Sequence, residues 1–347
     1  MNNTTKHQIY YSDARKMKYI NSNSVDLVVT SPPYPMIQMW DSIFCKQNKK
    51  IKNFLDNNNG KKAFELMHHE LDKVWLEAHR VLKDGGVACI NIGDATRTIN
   101  KNFSLYPNHA RILNYCLNIG FDSLPFIIWR KQTNAPNKFM GSGMLPVGAY
   151  ITLEHEYILI LRKNGKRNFH NNELKQVRQE SSFFWEERNL WFSDIWFDIK
   201  GAKQIISDKK IRNRSAAFPF ELAYRLINMY SVKGDAVLDP FLGTGTTSMA
   251  AMASQRNSIG IEIDNSFKKI ITEYFKKSTK LINEVIDKRI QKHQAFINLR
   301  NSQKKLIKYK NLKHDFPVIT RSEANISLRK VEKIEAKNNE FIVRYKG

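Results

Sequence analysis

Apolar positions recur along the chain with two periods. From Phe64 to Leu82 they fall three and four residues apart (Phe64, Met67, Leu71, Val74, Trp75, Ala78, Val81, Leu82). This spacing predicts an amphipathic helix, stopped by the turn residues Asp84-Gly85-Gly86. Shorter apolar runs read as strands: "HQIYYSDA" ending at Asp13, "VDLVVTS", "VACINIGD" ending at Asp94, "FDSLPFIIWRK", "YITLEHEYILILRK", "DAVLDP" and "NSIGIEID". Helical patterns alternate with them, from near Pro107 to Gly120, in "FPFELAYRLINMY" and in "GTTSMAAMASQR". Such alternation predicts an α/β domain with a mostly parallel sheet. Residues 45–62, "CKQNKKIKNFLDNNNGKK", are polar and predict a mobile surface loop. Across residues 164–214 the periodicity fades into a polar, aromatic, basic insertion. The tail from about Lys276 starts as a basic helix and closes on a short β segment, "EFIVRY".

Two strands end on unusual chemistry. "VDLVVT" runs straight into Ser31-Pro32-Pro33-Tyr34. "AVLDPFLGTGTTSMAA" is a strand, a turn and a helix, in which Gly243 and Gly245 allow close backbone approach and Thr246 and Thr247 stand where they could cap the helix. Turns at the carboxyl ends of strands are where α/β sheets bind ligands. The spacing is neither the GxGxxG of a dinucleotide fold nor a P-loop. About twenty residues on, Glu262 ends the next strand with a carboxylate, suited to a ribose diol or simply to a solvated strand end.

Together these residues resemble the S-adenosyl-L-methionine (AdoMet) site of class I methyltransferases. Read with Ser-Pro-Pro-Tyr, the chain resembles the DNA amino-methyltransferases, which carry a (D/N/S)-P-P-(Y/F) tetrapeptide and a DPFxGxGT motif, here Asp239 to Thr246. The order, catalytic motif first, is similar to the permuted β group, and the SPPY form to the cytosine-N4 enzymes. The resemblance spans roughly residues 8–275, with a gap in the middle. It implies a circularly permuted, Rossmann-like α/β fold with a mixed, mostly parallel seven-stranded sheet. Residues 1–163 would form the catalytic half, 164–214 an inserted target-recognition region, 215–275 the AdoMet half and 276–347 a basic extension. It also implies site residues. Asp13 of "SDA" would lie near the adenine of AdoMet, Glu262 at the ribose, and Phe218, followed by Pro219, at the methionine end. Asp239, Pro240, Phe241, Gly243, Thr244, Gly245 and Thr246 would form the cofactor turn. The stretch "NRSAAFP" lacks the His-Pro that often precedes that Phe-Pro, so only Phe218 and Pro219 are carried over; "LWFSDIW" resembles a D-[IV]-W element.

Ser31, Pro32, Pro33 and Tyr34 then acquire catalytic roles. The lone pair of an exocyclic amine is delocalised into its ring, so the nitrogen is a poor nucleophile. Accepting its hydrogens in hydrogen bonds draws it toward tetrahedral geometry. Ser31 offers a hydroxyl for this, and a backbone carbonyl held stiff by the prolines offers a second acceptor. Tyr34 offers a face on which a flipped base stacks. Ser31 points to cytosine N4, with adenine N6 the alternative, since both amines need the same acceptors. A second alternative is a nucleic-acid-binding protein without activity, opposed by the intact tetrapeptide, the turn glycines and Glu262. Cytosine-C5 chemistry needs a Pro-Cys thiolate, and the chain has no Pro-Cys.

The charge changes the picture further. The 347 residues carry a formal net charge of +23, which favours a polyanionic partner, nucleic acid first; the resemblance implies double-stranded DNA. From Lys268 to the end there are 21 Lys/Arg against 8 Asp/Glu, so the tail is expected to track phosphates. Residues 164–214, helped by the loop 132–148, are expected to read base edges. Three unpaired cysteines (Cys45, Cys89, Cys116), no signal-peptide pattern and no membrane-length apolar run suggest a reduced, cytoplasmic protein. A cognate restriction endonuclease acting on the same site is a further expected partner, and the oligomeric state stays open. His68 and His69 are placed on an exposed helix side and His155 in a strand; no metal-ligand spacing occurs, and no metal is expected.

Overall fold

The structure, a computed structural model, describes residues 3–131, 140–201 and 218–346. The first half of the chain supplies β1 (Thr4–Tyr11), β2 (Val25–Thr30), α1 (Asp41–Gln47), α2 (Lys49–Asp56), α3 (Gly60–Val81), β3 (Leu82–Ile92), β4 (Ala95–Ile99), β5 (Asn102–Tyr106), α4 (Asn108–Asn118) and β6 (Phe121–Arg130). There follow β7 (Met140–Gly141), β8 (Ala149–Tyr150), β9 (His155–Lys163), α5 (Asn172–Glu180), α6 (Trp185–Trp191) and β10 (Ile195–Trp196). The last third supplies α7 (Phe220–Tyr230), β11 (Ala236–Asp239), α8 (Thr246–Ala253), β12 (Asn257–Glu262), α9 (Phe267–Lys277) and α10 (Thr279–Ser302). Two short strands, β13 (Tyr309–Lys310) and β14 (Pro317–Val318), precede the terminal hairpin of β15 (Val331–Lys337) and β16 (Glu340–Tyr345).

Ten strands form one sheet in the order β10-β6-β9-β3-β2-β11-β12-β1-β16-β15. The seven expected strands lie side by side within it, from β6 to β1, and β9 alone among them runs against its neighbours. Three strands are additional: β10 at one edge and the terminal hairpin at the other. All six residues of β2 are buried, because helices cover both faces. Leu27 and Val29 join the cluster under α7, α8 and α9, while Val28 joins the one under α3. Each such side chain stabilises the fold by roughly 1.5–3 kcal/mol. This central strand therefore fixes where its last residue, and Ser31 after it, stand.

Several expectations change. Residues 45–62 are not a loop but α1, α2 and the start of α3. Phe44 and Ile51 are fully buried against α3, and the asparagines are helix caps: Asn48 accepts from Lys50 N at 3.1 Å and Asn59 from Lys62 N at 3.2 Å. His68 is buried rather than exposed, its Nε2 hydrogen-bonded to Asn108 Oδ1 at 3.0 Å, whereas His155 does open a strand. Asp84-Gly85-Gly86 lies inside β3, with Gly85 at φ +76°, and α3 already ends at Val81.

The C-terminal extension is built into the core. Phe341, Val343 and Tyr345 are buried, and the Tyr345 hydroxyl donates to Met252 O at 2.7 Å. The inserted region, as far as it is described, begins at the foot of the sheet, opposite the strand ends that carry the motifs. Arg167 pairs there with Asp235, just before β11, at 2.6 Å. Helix α6 packs on α7 and α10: Glu187 bridges Arg289 of α10 at 2.6 Å and Trp191 meets Tyr224 of α7 edge-on. Its expected remainder, residues 202–214, lies outside the described residues, as do 132–139 of the loop expected to assist it.

Candidate active site

Parallel strands deliver their ends to one edge. There β2 presents Ser31, β11 Asp239, β12 Glu262 and β1 Ser12 and Asp13 around a cavity of about 700 Å³, large enough for a cofactor and a nucleobase together. Every expected site residue lines it except Gly245: Asp13, Ser31, Pro32, Pro33, Tyr34, Phe218, Asp239, Pro240, Phe241, Gly243, Thr244, Thr246 and Glu262. Motifs some two hundred residues apart in sequence thus face the same space.

The link between them is direct. Thr30, next to Ser31, donates from Oγ1 to Asp239 Oδ1 at 2.6 Å, and Thr247 of α8 donates to Asp239 Oδ2 at 2.6 Å. Phe241 N adds a third donor at 3.0 Å. Asp239 is 2% exposed, so its carboxylate clamps strand, turn and helix together and is spent inside the protein. Burial raises its pKa, while the donors from Thr247, Thr30 and Phe241 act against that.

The glycine turn divides its work. Gly243 sits at φ +55° and its N–H donates to Glu262 Oε2 at 2.8 Å. Gly245, at φ +89°, is the N-cap of α8, and a Cβ there would lie 2.6 Å from the Phe275 ring. Packing against Phe275 by itself requires glycine at this position. Contrary to expectation, neither Thr246 nor Thr247 caps α8 through its side chain; Thr247 is drawn to Asp239 instead.

Glu262 accepts from Gly243 N and, at 2.9 Å, from Asp264 N. Burial pushes it up to about 7, the Asp264 and Asp239 carboxylates add to this, and the two backbone donors oppose it. Asp13 lines the cavity with its carboxylate gripped by Arg15, whose Nη2 lies 2.6 Å from Oδ2. Burial acts to raise its pKa, but the hydrogen bonds and charge of Arg15 hold it below the ordinary value. Arg15 also pairs with Glu70 of α3.

The tetrapeptide loop is held differently. The Tyr34 hydroxyl donates to Glu156 Oε2 at 2.9 Å and accepts from Asn91 Nδ2 at 2.9 Å; Ser31 Oγ lies 3.1 Å from it. Burial raises the Tyr34 pKa well above its ordinary value, and the charge of Glu156 acts the same way, so the phenol keeps its proton. The ring packs over Gly93, where a Cβ would be 3.0 Å away. Tyr34 is therefore a fixed wall of the cavity, not a freely swinging plate. Met36 follows at φ +68°, a left-handed conformation costly for a side chain of its size, held by complete burial of that side chain. Asn108 Nδ2 donates to Pro35 O at 3.1 Å and Gly93 O at 3.0 Å, fixing the loop from behind.

Sequence reasoning missed two groups. Met39 and Trp40, just before α1, and Ile43 and Phe44 within it also line the cavity. Their apolar spacing within "MWDSIF" was the available signal, and the polar run after them hid it. Asn91 and Glu156, 1% and 8% exposed, stand at the ends of two apolar strands; a carboxylate opening "EYILIL" was the only hint of a role. One group that could hold a metal, Glu186, His293 and Glu323, occurs among the described residues, outside this cavity. Both His293 nitrogens are already hydrogen-bonded there, to Glu186 and Pro317 O.

The lining fits AdoMet: the carboxylates of Glu262 and Asp13 can accept its hydroxyl and amine donors, and the rings of Phe218, Phe241 and Phe267 offer apolar surface. Comparison with known proteins agrees. A type II methyltransferase of Methanothermobacter thermautotrophicus, M.MthZI, is 53% identical over 97% of this chain and 94% of its own. Another, M.MjaI of Methanocaldococcus jannaschii, is 52% identical over 78% of this chain and 91% of its own. The structure of a putative DNA modification methylase from Thermus thermophilus, complexed with AdoMet, is 34% identical, covers 78% of this chain and 93% of its own, and superposes with a TM-score of 0.60. The PvuII DNA methyltransferase (cytosine-N4-specific), 15% identical over 82% of this chain and 92% of its own with a TM-score of 0.52, shares the fold. The DNA methylase family model for N6 and N4 enzymes matches residues 25–273, and the chain belongs to that family, an AdoMet-dependent DNA methyltransferase.

Proposed function

We propose that this methyltransferase modifies the exocyclic N4 of cytosine in duplex DNA, as the protecting member of a type II restriction–modification system. The observation that carries the choice of base is Ser31 itself, a neutral hydroxyl at the first position of the tetrapeptide, where the adenine-N6 enzymes usually place Asp or Asn. The names of the two relatives above supply the restriction–modification setting.

When bound, AdoMet supplies an electrophilic methyl group. The chain's own residues do the rest. Ser31 Oγ and a carbonyl of the proline pair accept the hydrogens of the target amine and localise its lone pair. Tyr34 holds the base edge-on to Ser31 by stacking, worth roughly 1–3 kcal/mol per base, which offsets much of the cost of flipping. The net charge of +23 draws the duplex to the protein.

Recognition we assign to segments at the strand-end edge. The described segment 140–154 is rooted there, Glu154 O accepting from Lys131 N at 2.7 Å, and Phe103 stacks on Tyr150 at 4.3 Å to brace it. Within it Met144, Leu145, Val147 and Ile151 are exposed, ready to meet DNA. The part of the inserted region at the foot of the sheet serves as a buttress in this reading.

The deciding experiment incubates the purified protein with duplex DNA and tritiated AdoMet, digests the DNA to nucleosides and identifies the labelled one by mass spectrometry. N4-methylcytosine is the expected product. N6-methyladenine would reassign the base, and absence of label would refute DNA methylation outright.

A further inference from the structure

We infer that Glu156 is a positioning residue that sets the direction of the Ser31 hydroxyl proton and so makes Ser31 an acceptor for the target amine. This rests on the amino-methylation reading and deepens it. A serine hydroxyl is donor and acceptor at once, and an unconstrained one could turn its proton toward the amine, where it would oppose the chemistry.

Hydrogen-bond accounting removes that freedom. Glu156 Oε1 receives Lys131 Nζ at 2.9 Å. Glu156 Oε2 receives the Tyr34 hydroxyl at 2.9 Å and Asn91 Nδ2 at 2.7 Å. The second hydrogen of Asn91 Nδ2 goes to the Tyr34 oxygen at 2.9 Å. The opposite amide orientation would press Asn91 Oδ1 against the Glu156 carboxylate; in the present one that oxygen simply has no partner. The single phenol proton is thus committed to Glu156, and its oxygen is left only as an acceptor. At 3.1 Å, Ser31 Oγ must donate to it. The Ser31 lone pairs then face the cavity that Ser31 lines.

The test exploits the sign of this relay. In Glu156→Gln, Lys131 selects the carboxamide oxygen and the NH2 group faces Tyr34 and Asn91, whose amide then turns its unpartnered Oδ1 to accept the phenol proton. Asn91→Leu removes that acceptor, so in Asn91→Leu/Glu156→Gln the phenol proton is released toward Ser31, whose own proton is pushed into the cavity. In Tyr34→Phe the relay is absent, the stacking ring remains, and residues 91 and 156 no longer address Ser31. We therefore expect kcat for methyl transfer to fall about 100-fold in Asn91→Leu/Glu156→Gln, the scale of removing one polar group from a reacting centre. AdoMet affinity and the KM for DNA should stay near wild type. The triple variant that adds Tyr34→Phe should be faster than Asn91→Leu/Glu156→Gln and equal to Tyr34→Phe. Thermal melting of each protein accompanies the kinetics. If Asn91→Leu/Glu156→Gln does not fold, Asn91→Ala/Glu156→Ala, which also leaves the phenol proton to Ser31, carries the same comparison. A triple variant as slow as Asn91→Leu/Glu156→Gln, or an Asn91→Leu/Glu156→Gln enzyme within about threefold of wild type, overturns the inference while wild-type activity on DNA leaves the parent reading standing. A wild-type protein that transfers no methyl group to DNA overturns both.

Discussion

The tetrapeptide loop after β2 and the glycine turn after β11 end neighbouring strands, yet they are held by different means. The tetrapeptide loop is fixed through side chains from far along the chain: Glu156, Asn91 and Asn108 grip Tyr34 and its flanks. The cofactor turn is fixed through backbone and shape: Gly243 N on Glu262, and Gly245 against the Phe275 ring. A side-chain clamp allows a substitution to remove chemistry while the fold survives. A backbone turn does not, because shape and binding there are the same thing.

The largest effect expected from this contrast is at Gly245. Its Cβ would sit 2.6 Å from Phe275, in a left-handed conformation that β-branched residues avoid. Gly245→Val should destabilise the protein by about 3 kcal/mol from overpacking and backbone strain together. Melting temperature and AdoMet affinity should fall in step; loss of affinity with unchanged melting would place Gly245 at the ligand instead.

Asp239 stands between the two regions and should show an intermediate effect. Asp239→Asn turns an NH2 group toward either Thr30 or Thr247, each a donor at 2.6 Å. A loss of about 2 kcal/mol in denaturant unfolding is expected, with both AdoMet binding and turnover weakened. If only one of the two functions changed, the clamp would not join the motifs.

A pH series separates the regions without mutation. Glu262 in the fold titrates at about 7 against an ordinary 4.5. The fold gains a proton that the unfolded chain lacks between those values, so this group's stabilising contribution is present at low pH and lost as pH rises through 7. With Glu262 at the cofactor ribose, as the resemblance implies, cofactor binding runs the other way, because ribose hydroxyls need a carboxylate to accept them. Calorimetric AdoMet affinity should therefore drop about tenfold per pH unit below 7. A flat profile from pH 8 to 6 would remove Glu262 from the cofactor.

The smallest effect belongs to the cysteines. Cys89 and Cys116 are buried, and burial pushes both thiols up, away from the reactive thiolate. Serine at Cys45, Cys89 or Cys116 should leave turnover unchanged, at most costing about 1–2 kcal/mol of stability at the buried sites. A folded variant without activity would contradict amine chemistry.

The same contrast explains what was legible in the sequence. Strand, glycine turn and helix are local, so the sequence placed the turn, Glu262 and Ser31 to Tyr34 at strand ends, and their expected roles came from the resemblance to the amino-methyltransferases. Glu156 acts across 122 residues, and only the antiparallel placement of β9 beside β3 brings it to Tyr34. Helices α1 and α2 were hidden because asparagines read as loop formers when isolated, whereas Asn48 and Asn59 cap helices whose stability comes from packing on α3. The terminal hairpin carried the right β signal, "EFIVRY", but nothing local marked β1 as the free sheet edge awaiting it.

The central claim is that Ser31 acts on the target nitrogen beside a cofactor it does not hold. Single-turnover methyl transfer by Ser31→Ala, with AdoMet affinity measured on the same protein, tests this most directly. A rate lower by about 100-fold with affinity unchanged is the expected result. An unchanged rate, or a loss of rate that follows wholly from lost AdoMet binding, would contradict it.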